Sequence, residues 1–130
     1  MKCPCSPNKT YESCCAPIHR DVHNATTAEL LMRSRYSAFV LANGHYLSLS
    51  HHHTERLSKR EMKELIHWTT SVQWLGLQVM NTQSGGPNDD TGIVEFKAHF
   101  IEHGKTNFIH ERSKFVRENG HWVYLNGAHQ

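Results

Sequence analysis

Cys3, Cys5, Cys14 and Cys15 are the only cysteines of the chain, and all fall within its first 15 residues. A disulfide-stapled secreted domain would spread its cysteines more widely, and adjacent Cys14 and Cys15 can join each other only under strain. A thiolate metal site suits the clustering better, and zinc is the default ion for four tetrahedral sulfurs. The spacing is Cys-x-Cys, eight residues, then Cys-Cys, which brings two tight pairs together across one turn. Pro7 or Asn8 shapes that turn, Tyr11 is a candidate aromatic lid, and His19, four residues after Cys15, is an alternative fourth ligand. So short a segment has no core of its own, and ligation would be its main source of order. Two other readings compete: four free thiols in a frayed terminus, or a redox dithiol. The latter wants Cys-x-x-Cys or a lone activated thiol, and neither occurs.

The second set of chemically able residues is dispersed. On a helical wheel, at about 100° per residue, Arg35 falls inside an apolar stripe while Arg33 faces away. A guanidinium on a core face needs a partner, because unpaired burial of charge is costly. Glu111 is the natural carboxylate, since alternation along its strand puts Glu111, Ser113 and Phe115 on the inner face. An Arg35–Glu111 pair would clamp helix to sheet; a contact to a ligand in a pocket is the other reading. His51-His52-His53 invites a metal, but consecutive residues diverge, so three in a row cannot all meet one ion. One histidine of the run at the mouth of a pocket could act as acid or base, because imidazole as a side-chain type titrates near neutrality. Trp68, Trp74 and Trp122 read as core, because nucleic-acid stacking would interleave them with Lys and Arg. No phosphate loop, nucleophile elbow or zincin signature is present, and no catalytic residue is assigned.

The elements that must position these residues follow from periodicity. Residues 16–26 read as a linker. Thr26-x-x-Glu29 is a capping box ahead of a helix over 27–43, ended by Asn43-Gly44. A short helical turn spans 45–51, and Ser58-x-x-Glu61 starts another helix, ending near Thr70. The pattern then turns to period two over 72–82, 92–103, 105–118 and 121–126. Gly104 and Asn119-Gly120 mark tight antiparallel hairpins. Helices followed by a meander of long strands mean an α+β domain, with the helices on one concave sheet face and a pocket at the open end. The division expected is a knuckle over 1–20 and a domain over 21–130.

Composition narrows the function classes. With 14 Lys+Arg, 12 Asp+Glu and 12 His, the formal charge is +2. Four thiolates and a zinc ion contribute a net −2, which brings the loaded protein to neutrality. That leaves no electrostatic footprint for nucleic acid. No apolar run is long enough for a membrane span, and Met1-Lys2-Cys3-Pro4-Cys5 lacks a signal-peptide core. A cytoplasmic protein is expected.

Cys3-Pro4-Cys5, Tyr11 and Cys14-Cys15 resemble the SEC-C motif, named for the C-terminus of the SecA translocase. The resemblance implies zinc held by Cys3, Cys5, Cys14 and Cys15, with Ser6-Pro7-Asn8 where Gly-Ser-Gly is usual. The order of elements resembles the nuclear transport factor 2-like cone. Met32-Arg33-Ser34-Arg35-Tyr36-Ser37-Ala38-Phe39, Trp74-Leu75-Gly76-Leu77 and His110-Glu111-Arg112-Ser113-Lys114-Phe115 resemble segments of the bacterial YchJ family, as does Trp122-Val123-Tyr124 near Asn126-Gly127. The likeness runs in order along nearly the whole chain. Lys114 stands where Arg is common, Asn126 where Asp is common, and His51 where Trp is usual, with His52 matching the family His. A second SEC-C motif often follows the sheet in this family, and these residues end at Gln130 without one. The family has no settled activity. The SEC-C resemblance implies a non-catalytic adaptor whose knuckle presents polar groups to a protein partner. The second reading is a small-molecule-binding protein or minor enzyme using the cone, with Arg35, His52, Trp74 and Glu111 as pocket residues. The two differ in the cone's interior: filled and clamped by an Arg35–Glu111 pair, or open. RNA binding by the knuckle is a third, marked by steep salt dependence.

Overall fold

The computed structural model describes residues 1–130. At the N-terminus Lys2–Cys3 (β1) pairs antiparallel with Ser6–Thr10 (β2). A single 3-10 turn, Tyr11–Ser13, leads into a short helix, Cys15–Arg20 (α1). Part of the expected linker is therefore helical. Six residues are too few to show a period, and what holds α1 is burial of Cys15, Ala16 and Ile18.

The long helix is Ala28–Val40 (α2), capped by Thr27, whose hydroxyl accepts from the Leu30 N–H at 3.1 Å. The cap lies one residue beyond the expected box, and Glu29 instead pairs with Arg33 across one helical turn at 2.9 Å. Asn43 caps Gly44–Leu49 (α3) through the Tyr46 N–H. Ser58 and Glu61 form both arms of the capping box of Lys59–Ser71 (α4).

Four strands follow as an antiparallel meander in sequence order: Gln73–Ser84 (β3), Thr91–Glu102 (β4), Lys105–Glu118 (β5) and His121–His129 (β6). His103-Gly104 and Asn119-Gly120 all have positive φ, the geometry of two-residue hairpin turns that follow the sheet's twist. Strict alternation breaks at Leu75. The register slips between Trp74 and Gly76, leaving Leu75 exposed. This bulge puts Trp74 opposite Phe100 and Leu77 opposite Ala98, so residues three apart share the inner face. The last strand also runs three residues further than alternation indicated, to His129.

The helices cover one face of the sheet around Leu31, Tyr46, Leu47, Val94, Phe115 and Trp122, all essentially inaccessible. Cys3, Cys5, Cys15 and Ile18 belong to the same contiguous core. The N-terminal segment is thus packed onto the cone and has no separate interior. No helix is long and apolar enough to cross a membrane.

Candidate metal centre and cone cavity

The four cysteine sulfurs converge. Cys5 Sγ lies 3.6 Å from Cys3, 3.5 Å from Cys14 and 3.7 Å from Cys15. A tetrahedron of sulfurs bound at about 2.3 Å has edges of about 3.8 Å, whereas a disulfide needs about 2.05 Å. The cluster has the dimensions of a metal cage. Cys3, Cys5 and Cys15 are buried and Cys14 is half-buried. The Cys15 thiol donates to Cys5. That bond is the main reason Cys5 is pulled down to about 5, against the effect of burial. Burial first, then its bond to Cys5, pushes Cys14 up to about 12, and the bond to Cys5 with burial also raises Cys15. Four close sulfurs ionise together only with a cation among them, so the donor set suits a metal ion.

Neighbours hold this cage in place. Ser37 Oγ donates to Cys15 Sγ at 3.2 Å, and Arg33 Nη1 donates to the Cys5 carbonyl at 3.2 Å. His19 is not among the ligands. Its Nδ1 faces the Tyr11 hydroxyl and its Nε2 the Ser34 carbonyl, both at 2.7 Å. Tyr11 is therefore the strut of a histidine that ties α1 to α2.

Helix α2 serves two sites from opposite sides. At about 100° per residue, Arg33, Ser34 and Ser37 face the N-terminal segment. Met32, Arg35, Tyr36 and Phe39 point the other way and line a cavity of about 210 Å³ inside the cone. Phe39, Leu65, Trp68, Trp74, Phe96 and Phe115 supply apolar wall. The Trp68 indole N–H is bound to Glu102 at 2.8 Å and that of Trp74 to the Thr69 carbonyl at 3.1 Å. Both rings therefore offer the cavity only carbon surface.

The polar end is built by Arg35, Glu111, Ser113, Tyr124 and His129. The expected Arg35–Glu111 ion pair is not formed. Arg35 Nη1 donates to the Leu47 carbonyl at 2.9 Å and Ser50 Oγ at 2.7 Å, and its guanidinium lies over the Tyr124 ring, 4.8 Å from the centroid. Glu111 instead takes the Ser113 hydroxyl and, at 3.1 Å, the Tyr124 hydroxyl. Tyr124 stands between the two charges. Burial lowers Arg35 to about 10, with Tyr124, Tyr46 and Glu111 opposing the shift, so it remains a cation at neutral pH. Gly127 makes room for Glu111: a Cβ there would overlap the carboxylate.

His52 does not line the cavity. It caps the 3-10 turn His53–Glu55, its backbone N–H is bound to the Tyr124 carbonyl at 2.8 Å, and its ring Nε2 lies 3.5 Å from Glu118. The histidine at the cavity wall is His129, 4.0 Å from Glu111 and largely exposed. It is paired in register with Glu111, and only a strand continued past Asn126 could have shown it. Tyr124 was legible as part of the Trp122-Val123-Tyr124 segment, but its place between Arg35 and Glu111 depends on the slip in register between β5 and β6.

Comparison with known proteins agrees with this architecture over almost its full extent. Residues 27–127 match the family described as YchJ, middle NTF2-like domain. The chain belongs to the YchJ family. Among curated relatives, a UPF0225 protein of Vibrio parahaemolyticus is 39% identical over 126 residues, 97% of this chain and 74% of that protein. Another, from Photorhabdus laumondii, is 40% identical over 128 residues, covering 97% and 79%. Two solved structures are similar throughout. The solution structure of a SEC-C motif containing protein from Rhodopseudomonas palustris has a TM-score of 0.85 at 31% identity, over 98% of each chain. The crystal structure of a SEC-C motif containing protein from Psychrobacter arcticus has a TM-score of 0.80 at 31% identity, over 95% of this chain and 80% of that one. Within this YchJ-family framework, Met32 to Phe39 serves both the cysteine cage and the cavity wall.

Proposed function

We propose that this YchJ-family protein binds a compact, mostly apolar small molecule in its cone, while zinc in the cysteine cage clamps the N-terminal segment to helix α2. The observation that carries the reading is an aromatic cavity of about 210 Å³ with a buried cation at its polar end and no protein carboxylate bonded to that cation. An apolar cavity of about 150 Å³ admits benzene, so this one has room for a substituted ring or a short branched chain. Arg35 spends only Nη1 on protein acceptors, which leaves Nε and Nη2 as donors. The matching ligand end accepts hydrogen bonds, as a carboxylate or amide oxygen does. Four sulfurs spaced for tetrahedral ligation favour zinc, and a thiol cage suits the reducing cytoplasm.

Trp68 and Trp74 supply the test. Their fluorescence is followed while small aromatic carboxylates and their amides are titrated in. Saturable quenching that is lost when Ala98→Leu fills the cavity is the expected result. Absence of saturation for every compound, or saturation unaffected by Ala98→Leu, would overturn the reading.

Protein docking through the knuckle is a second reading, supported by the exposure of Pro7, Asn8, Lys9 and Thr10 on β2 while Cys3, Cys5 and Cys15 are buried. It predicts that Asn8→Ala/Lys9→Ala abolishes co-purification of a specific partner without changing metal content. Unchanged co-purification would remove it.

A further inference from the structure

The cavity and the cysteine cage leave one chemically able cluster unused, at the far end of the β5–β6 hairpin. We infer that His52, His53 and Glu118 form a second metal site, for a divalent transition ion such as zinc, cobalt or nickel. Their ligand atoms all lie within 4.8 Å of one another. His52 Nε2 is 3.5 Å from Glu118 Oε2, and His53 Nδ1 is bonded to the same oxygen. Nitrogen and oxygen donors bound at about 2.0–2.1 Å in a tetrahedron stand about 3.3–3.4 Å apart, so a small adjustment of the exposed His53 ring opens the position.

Three features go beyond a histidine resting on a carboxylate. His52 Nδ1 meets the Thr54 hydroxyl at 2.7 Å and accepts the Thr54 N–H at 3.3 Å, contacts that hold the ring with Nε2 toward Glu118; bonds to the non-ligating nitrogen orient metal-binding histidines in the same way. Glu118 is only 10% exposed, sits at the end of a strand, and accepts the His53 backbone N–H at 3.2 Å, so its Oε2 is already positioned. Arg56 stands 4.0 Å from the other oxygen, Oε1, with its Nε committed to the His51 carbonyl at 3.1 Å. The third histidine of the run is excluded, since the His51 ring packs 5.0 Å from Tyr124. Two imidazoles and one carboxylate favour transition ions over magnesium or calcium, and three protein ligands leave a coordination position to water. The bound ion would tie the connection between α3 and α4 to the sheet.

The test is a cobalt titration of protein whose cysteine cage is already filled with zinc, which cobalt does not displace at equilibrium. One further equivalent is expected, with visible d–d bands and no sulfur-to-cobalt charge transfer in the near ultraviolet. Glu118→Gln and His53→Ala should each weaken it at least tenfold, and Arg56→Ala should tighten it by removing a nearby positive charge. His67→Ala, at an exposed site on α4, should change nothing. Far-ultraviolet circular dichroism checks that each variant is folded. The inference is overturned if no further equivalent binds, or if it binds Glu118→Gln and His53→Ala as tightly as wild type. Both results are independent of ligand binding in the cone.

Discussion

The cysteine cage and the cone cavity lie on opposite sides of one helix, yet they are built by opposite means. The cage gathers all its sulfurs from a stretch of the chain no longer than one hairpin and a turn, and they stand at the separations tetrahedral metal ligation requires. The cavity takes its polar end from α2, β5 and β6, and its shape comes from strand register and a bulge. A local site asks little of the residues between its ligands, and Pro7, Asn8 and Lys9 are exposed. A site assembled from distant strands can be displaced by one methyl group at Gly127. Because α2 joins them, loss of the cage should also be felt in the cone.

Removing the metal is the widest test of that coupling. Stripping the ion with chelator, or replacing Cys15 with Ala, should lower the melting temperature by more than about 10 °C, since metal ligation supplies folding energy and three of the cysteines belong to the shared core. Metal analysis of chelator-free wild type should give at least one zinc per chain; a clear deficit would refute the cage. A cage that unfolds without altering ligand binding in the cone would show the two regions to be independent.

Arg35→Met comes next. With Glu111 engaged elsewhere, the loss is two charge-assisted hydrogen bonds and not a buried ion pair, so about 2–3 kcal/mol is expected in denaturant unfolding. A cost of about 4–5 kcal/mol would point to direct pairing with a carboxylate. Gly127→Ala should cost about 1–2 kcal/mol by overpacking and displace Glu111, weakening ligand binding while metal content is unchanged. The smallest effect is that of pH. Arg35 stays charged up to about 10, so binding of a carboxylate should be flat between pH 6 and 9 and weaken above pH 10, as isothermal titration can show.

Much of this was legible in the residues. The four cysteines announced a cage by type and spacing. The capping box at Ser58, the turns at Gly104 and Asn119-Gly120, and the inward set Glu111, Ser113, Phe115 each rest on local chemistry or a simple period, and all appear in the fold. Arg35 stood out because a charge on an apolar stripe needs an explanation. Its partner did not, because a helical wheel gives direction without distance. The aromatic ring that separates Arg35 from Glu111 arrives from a strand whose register shifts by one residue. His52 and His53 show the same limit. Their adjacency argued against a shared ion for all three histidines, but nothing local tells that a kink turns two of them toward Glu118, 65 residues away.

What the amino-acid sequence determined by itself is whatever depends on residue type over short spans: the thiol donor set, helix caps, hairpin turns, and the alternation that gives the sheet an inner face. Tertiary structure alone decided that the knuckle shares the cone's core, that the cone is open inside, and that its buried cation has no bonded carboxylate. Those outcomes depend on register, bulges and the depth of packing between elements far apart in the chain. Local propensities do not encode such distances, and a shift of one residue reverses which face a side chain meets.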